Sequence, residues 1–479
     1  MKLESSGLCR ERATRIEMRT LETNEGKEHP AKTKTAIVAH APVVLAIVSI
    51  LAVVWTANAD SIDDDVKSAM NRQHIPGLTL AVIKDGKPVK IKGYGIANVE
   101  LDVPVTIDSV FKLASVSKQF IATGIMLLVD DGKVALHDSI TKYLDDAPET
   151  WRDITVTQAL SHTGGLAREA PGFDELKVQS DEVVIRSAYG LPLLSKPGEK
   201  WAYSNLDYFI LAEIIRKASG ESWPAFLAER IFKPLGMSAT RTTGTSDIVP
   251  HRADGYLFRD NKLTNADRIL ALRPSGALLS SLSDMVKWDA AISVGKVVTR
   301  STQAQMWMPQ QLNDGSSTAY GFGWWIDTFA GHRRVRHGGS LPGFRSEYVR
   351  FVDDRLNIIV LANSDGARPD SIAVMVANHF IPGLWPKRSS VKLEPTMLAQ
   401  YAGRYEITPT NVLTIGVDGN GLSLQSSSGG AEWHMQAEST TTFFIVEDES
   451  YVFYPASNQV MHLSIRVGES EIAKADRVP

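Results

Sequence analysis

The sequence predicts an α/β body of α+β type, followed by a small all-β unit. Three observations lead there. Two β-prone runs, residues 78–84 and 87–91, meet at Asp85-Gly86, a dipeptide suited to a tight hairpin turn. Helix-like stretches flank strand-like ones: residues 63–73 come before the hairpin and the apolar run 120–129 after it, while residues 347–351 and 356–362 read as later strands. Beyond Pro395 the chain changes character. Short β-type runs at 413–417, 421–425, 442–446, 450–454 and 460–467 alternate with turn residues, the spacing of a small barrel or sandwich.

Ahead of that body, residues 1–35 are polar and of mixed charge and contain the only cysteine, Cys9. Residues 36–55 carry no charge, follow Lys32 and Lys34, and run into Ala57-Asn58-Ala59. A basic flank, an apolar core and a small-x-small site read as a secretory signal inside a 1–59 leader, with Met18 a candidate start. The alternative is a membrane anchor over 36–55, since twenty residues just span a bilayer. Both readings leave the basic flank inside and export the rest, to the periplasm or beyond. Cleavage after Ala59 leaves no cysteine, which excludes a thiol nucleophile, a Cys-ligated zinc site and a disulfide framework. A net charge of −4 shows no basic excess, and no nucleic-acid partner is expected. The organisation read from composition is a main domain over 60–383, a Trp/Pro/Lys/Ser-mixed linker over 384–394 and a β domain over 395–479.

Chemistry enters at Ser115-x-x-Lys118, where an extended segment gives way to the apolar helix. Residues three apart share a helix face, so Lys118 falls under the Ser115 hydroxyl. The helix N-terminus adds N–H groups and a positive dipole end. A serine hydroxyl needs its proton removed to act as a nucleophile, and a lysine kept neutral by burial can remove it. The spacing alone is cheap, for it recurs at Ser109/Lys112, Ser139/Lys142, Ser293/Lys296 and Ser389/Lys392, where a helix cap or a solvated pair explains it as well. Only Ser115 stands directly before a long apolar helix.

Two further motifs supply partners. Tyr203-x-Asn205 is the only Tyr-x-Asn in the chain; it follows a Pro197-Gly198 turn and precedes an amphipathic helix over 208–217. A phenol relays protons and an asparagine orients a lysine and a substrate amide. A buried aromatic beside a turn-forming Asn is the plain alternative. His337-Gly338-Gly339-Ser340 follows a glycine–aromatic run at 320–325 that reads as a strand, and glycines at a strand edge let a ligand backbone pair closely. His162-x-Gly164, on a helix ending in a glycine loop, matches by spacing equally well, and only the strand pattern favours His337. Gly-x-Ser-x-Gly, His-Glu-x-x-His and phosphate-loop patterns are absent from the sequence, and no metal or cofactor is expected.

Ser115-x-x-Lys118, Tyr203-x-Asn205 and His337-x-Gly339 in that order, with the Ser161-His162-Thr163-Gly164-Gly165 and Pro197-Gly198 segments, resemble the penicillin-recognising serine hydrolases on the class C β-lactamase side. The resemblance covers residues 63–381. It implies a β-lactamase/transpeptidase-like domain with a mixed sheet, packed helices and an all-helical lobe, the active site lying between. It also implies Ser115 as acyl-forming nucleophile, Lys118 and Tyr203 as its proton partners, and Asn205 as a substrate-amide ligand. His337, Gly338, Gly339 and Ser340 become the substrate-binding strand, with the Ser115 and Ser340 N–H groups as oxyanion hole. The tail, with Tyr401-Ala402-Gly403-Arg404-Tyr405, resembles the lipocalin-like β-barrels appended to such hydrolases. One departure stands out. Most relatives that act on β-lactams carry lysine where this chain has His337, and histidine is largely neutral at pH 7. The expected activity is therefore that of an esterase or a D-amino-acid amidase or peptidase. A true β-lactamase or D-Ala-D-Ala carboxypeptidase is the alternative, and a non-catalytic penicillin-recognising sensor the third reading.

Overall fold

Asp85 and Gly86 both adopt positive φ, 52° and 74°, and turn β1 (Gly77–Lys84) back into β2 (Lys87–Asn98) as the dipeptide predicts. This computed structural model describes residues 61–478 apart from 245, 269–272, 385–387, 409–410, 428–431, 446–448, 457–458 and 468–469. The leader, with its signal or anchor reading, lies outside the described residues. No described helix is long and apolar enough to cross a membrane.

The hairpin does not stand alone. A short β3 (Val103–Pro104) extends it on one side, and β4 (Trp325–Phe329), β5 (His332–Leu341), β6 (Phe344–Phe351) and β7 (Leu356–Ala362) join it on the other. The order is β3-β2-β1-β7-β6-β5-β4, every neighbour antiparallel. The first and last strands of the body thus pair at the sheet centre, Leu80 opposite Val360.

Side-chain alternation builds a core on each face. Ala81, Ile83, Ile359 and Leu361 point toward α2 (Ser117–Asp130) and α4 (Leu282–Val294), in a core with Phe120, Ile125 and Trp288. Leu80, Val82, Ile358 and Val360 point the other way, to α1 (residues 61–72) and α5 (Pro369–Ala377), meeting Val66 and Ile372. A strand buried on both faces reads as a continuous apolar run, which is why 356–362 was legible. The chain between β3 and β4 holds the helical lobe. Within it, α2 is buried at nearly every position, as its all-round apolarity requires. It packs on α3 (Asn205–Ser219), which Ser204 caps by accepting the Asp207 N–H at 3.2 Å.

The run at 320–325 is a tight turn rather than the predicted strand. The Gly321 N–H donates to Trp324 O at 2.8 Å and Gly323 takes a φ of 78°. A Cβ at Gly323 would stand 2.9 Å from Lys118 O, so this glycine serves close packing on α2.

After a short helix, Pro395–Leu398, the tail forms a closed eight-stranded barrel: β8 (Gly403–Thr408), β9 (Asn411–Asp418), β10 (Gly421–Ser426), β11 (Trp433–Ala437), β12 (Thr442–Phe444), β13 (Glu449–Ala456), β14 (Gln459–Val467) and β15 (Ser470–Val478). Closure comes from β8 pairing β15, Tyr405 opposite Arg477. The barrel has its own core, around Tyr405, Leu422, Phe443 and Leu463. Strands β8, β11 and β15 escaped the sequence reading. In β15 the inward position is Ala475 among charged neighbours, a weak apolar signal.

Helix α4 is tied to the sheet by a buried polar knot. Asp289 accepts from the Tyr348 hydroxyl at 2.7 Å and from Arg350 Nη1 at 2.6 Å. Removing one member leaves an unpaired buried charge. Asp289→Ala is expected to lose about 3–5 kcal/mol of stability, read as a lowered denaturant midpoint. A loss well under 1 kcal/mol would show that the knot is not what binds α4.

Candidate active site

Ser115 lies on a single 3₁₀ turn, Ala114–Val116, between the short strand Val110–Lys112 and α2. Ala114 takes a left-handed φ of 48°, which a residue with a Cβ adopts only where its surroundings over-determine it. Those surroundings are visible. Strand β5 crosses the turn so closely that a Cβ on Gly339 would stand 2.3 Å from Leu113 O and 2.9 Å from the Ala114 Cβ. Ser346 Oγ donates to Leu113 O at 2.7 Å, and the Leu113 N–H donates to Leu278 O at 2.8 Å. The nucleophile candidate is clamped from both sides.

Beneath it lies Lys118, with no solvent exposure. Its Nζ donates to Asn205 Oδ1 at 2.8 Å and to Ser275 O at 3.0 Å, and stands 3.4 Å from Ser115 Oγ. Burial, reinforced by the nearby Arg273 charge, holds this amine well below the ordinary lysine range. A neutral amine has two N–H bonds and one lone pair. The two acceptors take the N–H bonds and leave the lone pair for the serine.

The Tyr203 ring centroid is 4.7 Å from Lys118 Nζ. Burial pushes its phenol up to about 12, against the opposing pull of Ser115 and Arg168, so it is protonated at neutral pH. Asn205 spends both ends of its amide: Oδ1 accepts from Lys118 and Nδ2 donates to Glu169. Glu169 in turn faces Arg273, which also pairs with Glu175. The substrate-amide role expected of Asn205 therefore competes with Glu169 for the same N–H bonds.

His337 is buried, and that burial lowers it to about 3. Its Nδ1 is 2.6 Å from Gly338 O and must donate there, while Nε2, 2.9 Å from the Tyr320 hydroxyl, accepts. Both nitrogens are engaged and the ring is neutral.

These groups open on a cavity of about 720 Å³. Ser115, Tyr203, Asn205, His337, Gly338, Gly339 and Ser340 all line it; Lys118 sits below its floor. Strand β4 pairs with β5 only as far as Arg336, so residues 337–341 keep an open edge on that side. Among the described residues, every one lining the cavity falls between Ser115 and Asp370, and the barrel adds none. Three of the competing serines bond locally: Ser109 accepts the Thr106 N–H at 2.9 Å, Ser139 caps a 3₁₀ turn and Ser293 donates to Asp289 O at 2.7 Å.

His162 ends the helix Val156–Ser161 with a φ of 60° and lies buried, Nδ1 2.8 Å from Asp207 Oδ2, its ring 4.5 Å from that of Tyr203. It supports Tyr203 from below and does not line the cavity. Missed by the sequence reading were Arg168, Glu169, Arg273, Ser275 and Glu347. Arg168 and Glu169 follow the Ser161–Gly165 segment, which offered a signal; Arg273 and Ser275 sit in no motif.

A clamped Ser-x-x-Lys turn, a Tyr-x-Asn cap and a glycine strand converging on one cavity point to one family. The Beta-lactamase family model matches residues 62–377. The chain belongs to the beta-lactamase family. It is 27% identical over 405 residues to penicillin-binding protein 4* of Bacillus subtilis (strain 168), spanning 78% of this chain and 89% of that one. Protein flp of Staphylococcus aureus (strain COL) is 25% identical, over 74% and 72% of the two chains. Among solved structures, an octameric penicillin-binding protein homologue from Pyrococcus abyssi superposes with a TM-score of 0.64 at 23% identity, covering 87% of this chain and 99% of that one. The D-amino acid amidase from Ochrobactrum anthropi SV3, complexed with D-phenylalanine, gives 0.59 at 23% identity, covering 67% and 99%. The beta-lactamase fold with a C-terminal barrel is thus a property of the whole described chain.

The crossing at Gly339 yields a prediction. Gly339→Ala should force β5 off the Ser115 turn, costing about 1–3 kcal/mol in stability. The acylation rate should fall by about 10²-fold, as expected when reacting groups shift by an ångström. An alanine variant that acylates like the parent would show that the contact does not set the geometry.

Proposed function

We propose that the protein is an exported serine hydrolase that cleaves ester or amide bonds through an acyl-enzyme on Ser115, of the esterase or D-amino-acid amidase and peptidase type. The observation that carries this reading is the solvent-free Lys118 amine, 3.4 Å from Ser115 Oγ with its N–H bonds already taken. In the first step Lys118 accepts the hydroxyl proton while Ser115 Oγ bonds to the substrate carbonyl carbon and the π pair moves onto oxygen. The Ser115 and Ser340 N–H groups receive the oxyanion, a contribution typically worth about 10²–10³ in rate per donor. Tyr203 then gives its proton to the leaving nitrogen or oxygen as that bond breaks, and the Lys118 ammonium restores it. Water attacks the acyl ester by the reverse sequence and frees the acid.

Charge at the site supports this substrate class. His337 is neutral, and Arg336 and Arg368, which line the cavity, face Asp327 and Asp370 at 2.9 and 3.6 Å. No fixed cation stands at position 337 to grip a carboxylate beside the scissile bond. Trp201 and Trp325, ring centroids 5.0 Å apart, give the cavity an aromatic wall, consistent with uncharged esters and aromatic amino-acid amides. A second reading has its own support. Arg168, Arg273, Arg336, Arg345 and Arg368 line the cavity against Glu347 and Asp370, a positive excess that favours carboxylate substrates such as β-lactams or D-Ala-D-Ala peptides. The non-catalytic sensor reading is disfavoured by the intact Ser115, Lys118 and Tyr203.

Two experiments decide. Ser115→Ala should abolish labelling by a fluorophosphonate probe and leave the fold intact; a variant that labels like the parent refutes the nucleophile. A short-chain nitrophenyl ester, a D-amino-acid amide, a chromogenic cephalosporin and a D-Ala-D-Ala peptide should then be compared by kcat/KM. The first two are expected to dominate. A preference for the cephalosporin of about tenfold, or 1.4 kcal/mol, would establish the second reading instead. In either case acylation should fall as pH drops through the depressed Lys118 value, because only the free base accepts the serine proton.

A further inference from the structure

The segment after Ser161-His162-Thr163-Gly164-Gly165 is bonded to the Tyr203-x-Asn205 motif along its backbone. Ser204 Oγ donates to Ala167 O at 2.7 Å, and the Asn205 N–H donates to Arg168 O at 2.8 Å. These bonds fix the Cα of Arg168 beside the motif. Its side chain then folds back so that the guanidinium carbon stands 5.2 Å from the Tyr203 ring centroid, at the wall of the cavity that Ser115 also lines. From this placement we propose that Arg168 is a positioning residue for the leaving-group step: the cation that makes Tyr203 a stronger proton donor. This rests on the acyl-enzyme reading above.

The charges around Tyr203 single out Arg168. Lys118, nearest on α2, is a cation only while it holds the proton taken from Ser115 and is uncharged again once Tyr203 is restored, so it is no permanent cation. His162 below and His337 on β5 are both kept neutral by burial. Glu169 is taken up by Arg273 and Asn205. Arg273 is shared between Glu169 and Glu175. Tyr208 and Tyr320 are buried phenols, protonated at neutral pH. Among the described residues Arg168 is the cation near the ring with no carboxylate partner, and a guanidinium over an aromatic face stabilises negative charge growing on that ring.

Proton donation matters in proportion to the leaving group's need. A nitrophenolate departs without a proton, whereas an amine departs only with one. The test is therefore a pair of substrates sharing one acyl group, an amide and a nitrophenyl ester, with acylation rate constants measured for the parent, Arg168→Gln and Arg168→Lys. Arg168→Gln should lower amide acylation by about tenfold or more while ester acylation changes less than about threefold. KM for both should stay within about twofold. Arg168→Lys should restore most of the amide rate. Equal losses on both substrates would overturn the proposal, since they signal a structural role. A rise in KM without a change in the amide-to-ester ratio would also overturn it, placing Arg168 in substrate binding. Failure of the underlying reading looks different: the parent enzyme would then show no label on Ser115 at all.

Discussion

A lysine amine held away from water is what the rest of this structure serves. An ammonium transferred to a dry interior without a counter-charge is costly, and that cost pushes Lys118 well below the ordinary lysine range, toward the free amine. Three independent elements must meet for that. Helix α2 carries the lysine, the first residue of α3 supplies Asn205 Oδ1, and the segment before Leu279–Ser281 supplies Ser275 O. The packing that excludes water includes Gly323, set against the Lys118 backbone, and Gly339, set against the serine turn.

The sheet answers a different need, a strand edge beside the nucleophile. Pairing β1 with β7 brings the chain's two halves together, and β4 stops at Arg336 so that residues 337–341 present open hydrogen-bonding groups to the cavity. An extended substrate can add to such an edge as a further strand. In the proposed mechanism the helical side supplies proton chemistry and the sheet side supplies alignment. The barrel is closed on itself with its own core and, among the described residues, adds none to the cavity lining.

Much of this was legible in the sequence because it rests on local signals. The Asp85-Gly86 hairpin, the apolar α2 helix and the doubly buried β7 each follow from patterns within a dozen residues, and Ser115, Lys118, Tyr203 and His337, which the structure gathers around one cavity, were singled out by motif and order. What failed to show were features created by approach in space. Ser275 contributes a backbone carbonyl, which has no side-chain signature. Arg273 and Glu169 matter through each other, 104 positions apart. The turn at 320–325 looked like a strand because its aromatics suit one, and only contacts in space explain its glycines, Gly323 against α2 and Gly321 against Met306 O. The chemistry of His337 was half legible: its identity implied a neutral group, but the Tyr320 and Gly338 bonds that occupy both nitrogens belong to the fold.

The most direct test of the account is the protonation state of Lys118 itself. Carbon-13 NMR of the lysine Cε resonances, with Lys118 assigned by its loss in Lys118→Arg, follows that state as pH is varied. The account predicts that the Lys118 resonance titrates well below the ordinary lysine range and reports a free amine near neutral pH. A resonance that keeps its ammonium shift up to the ordinary lysine range, about 10.4, would contradict it.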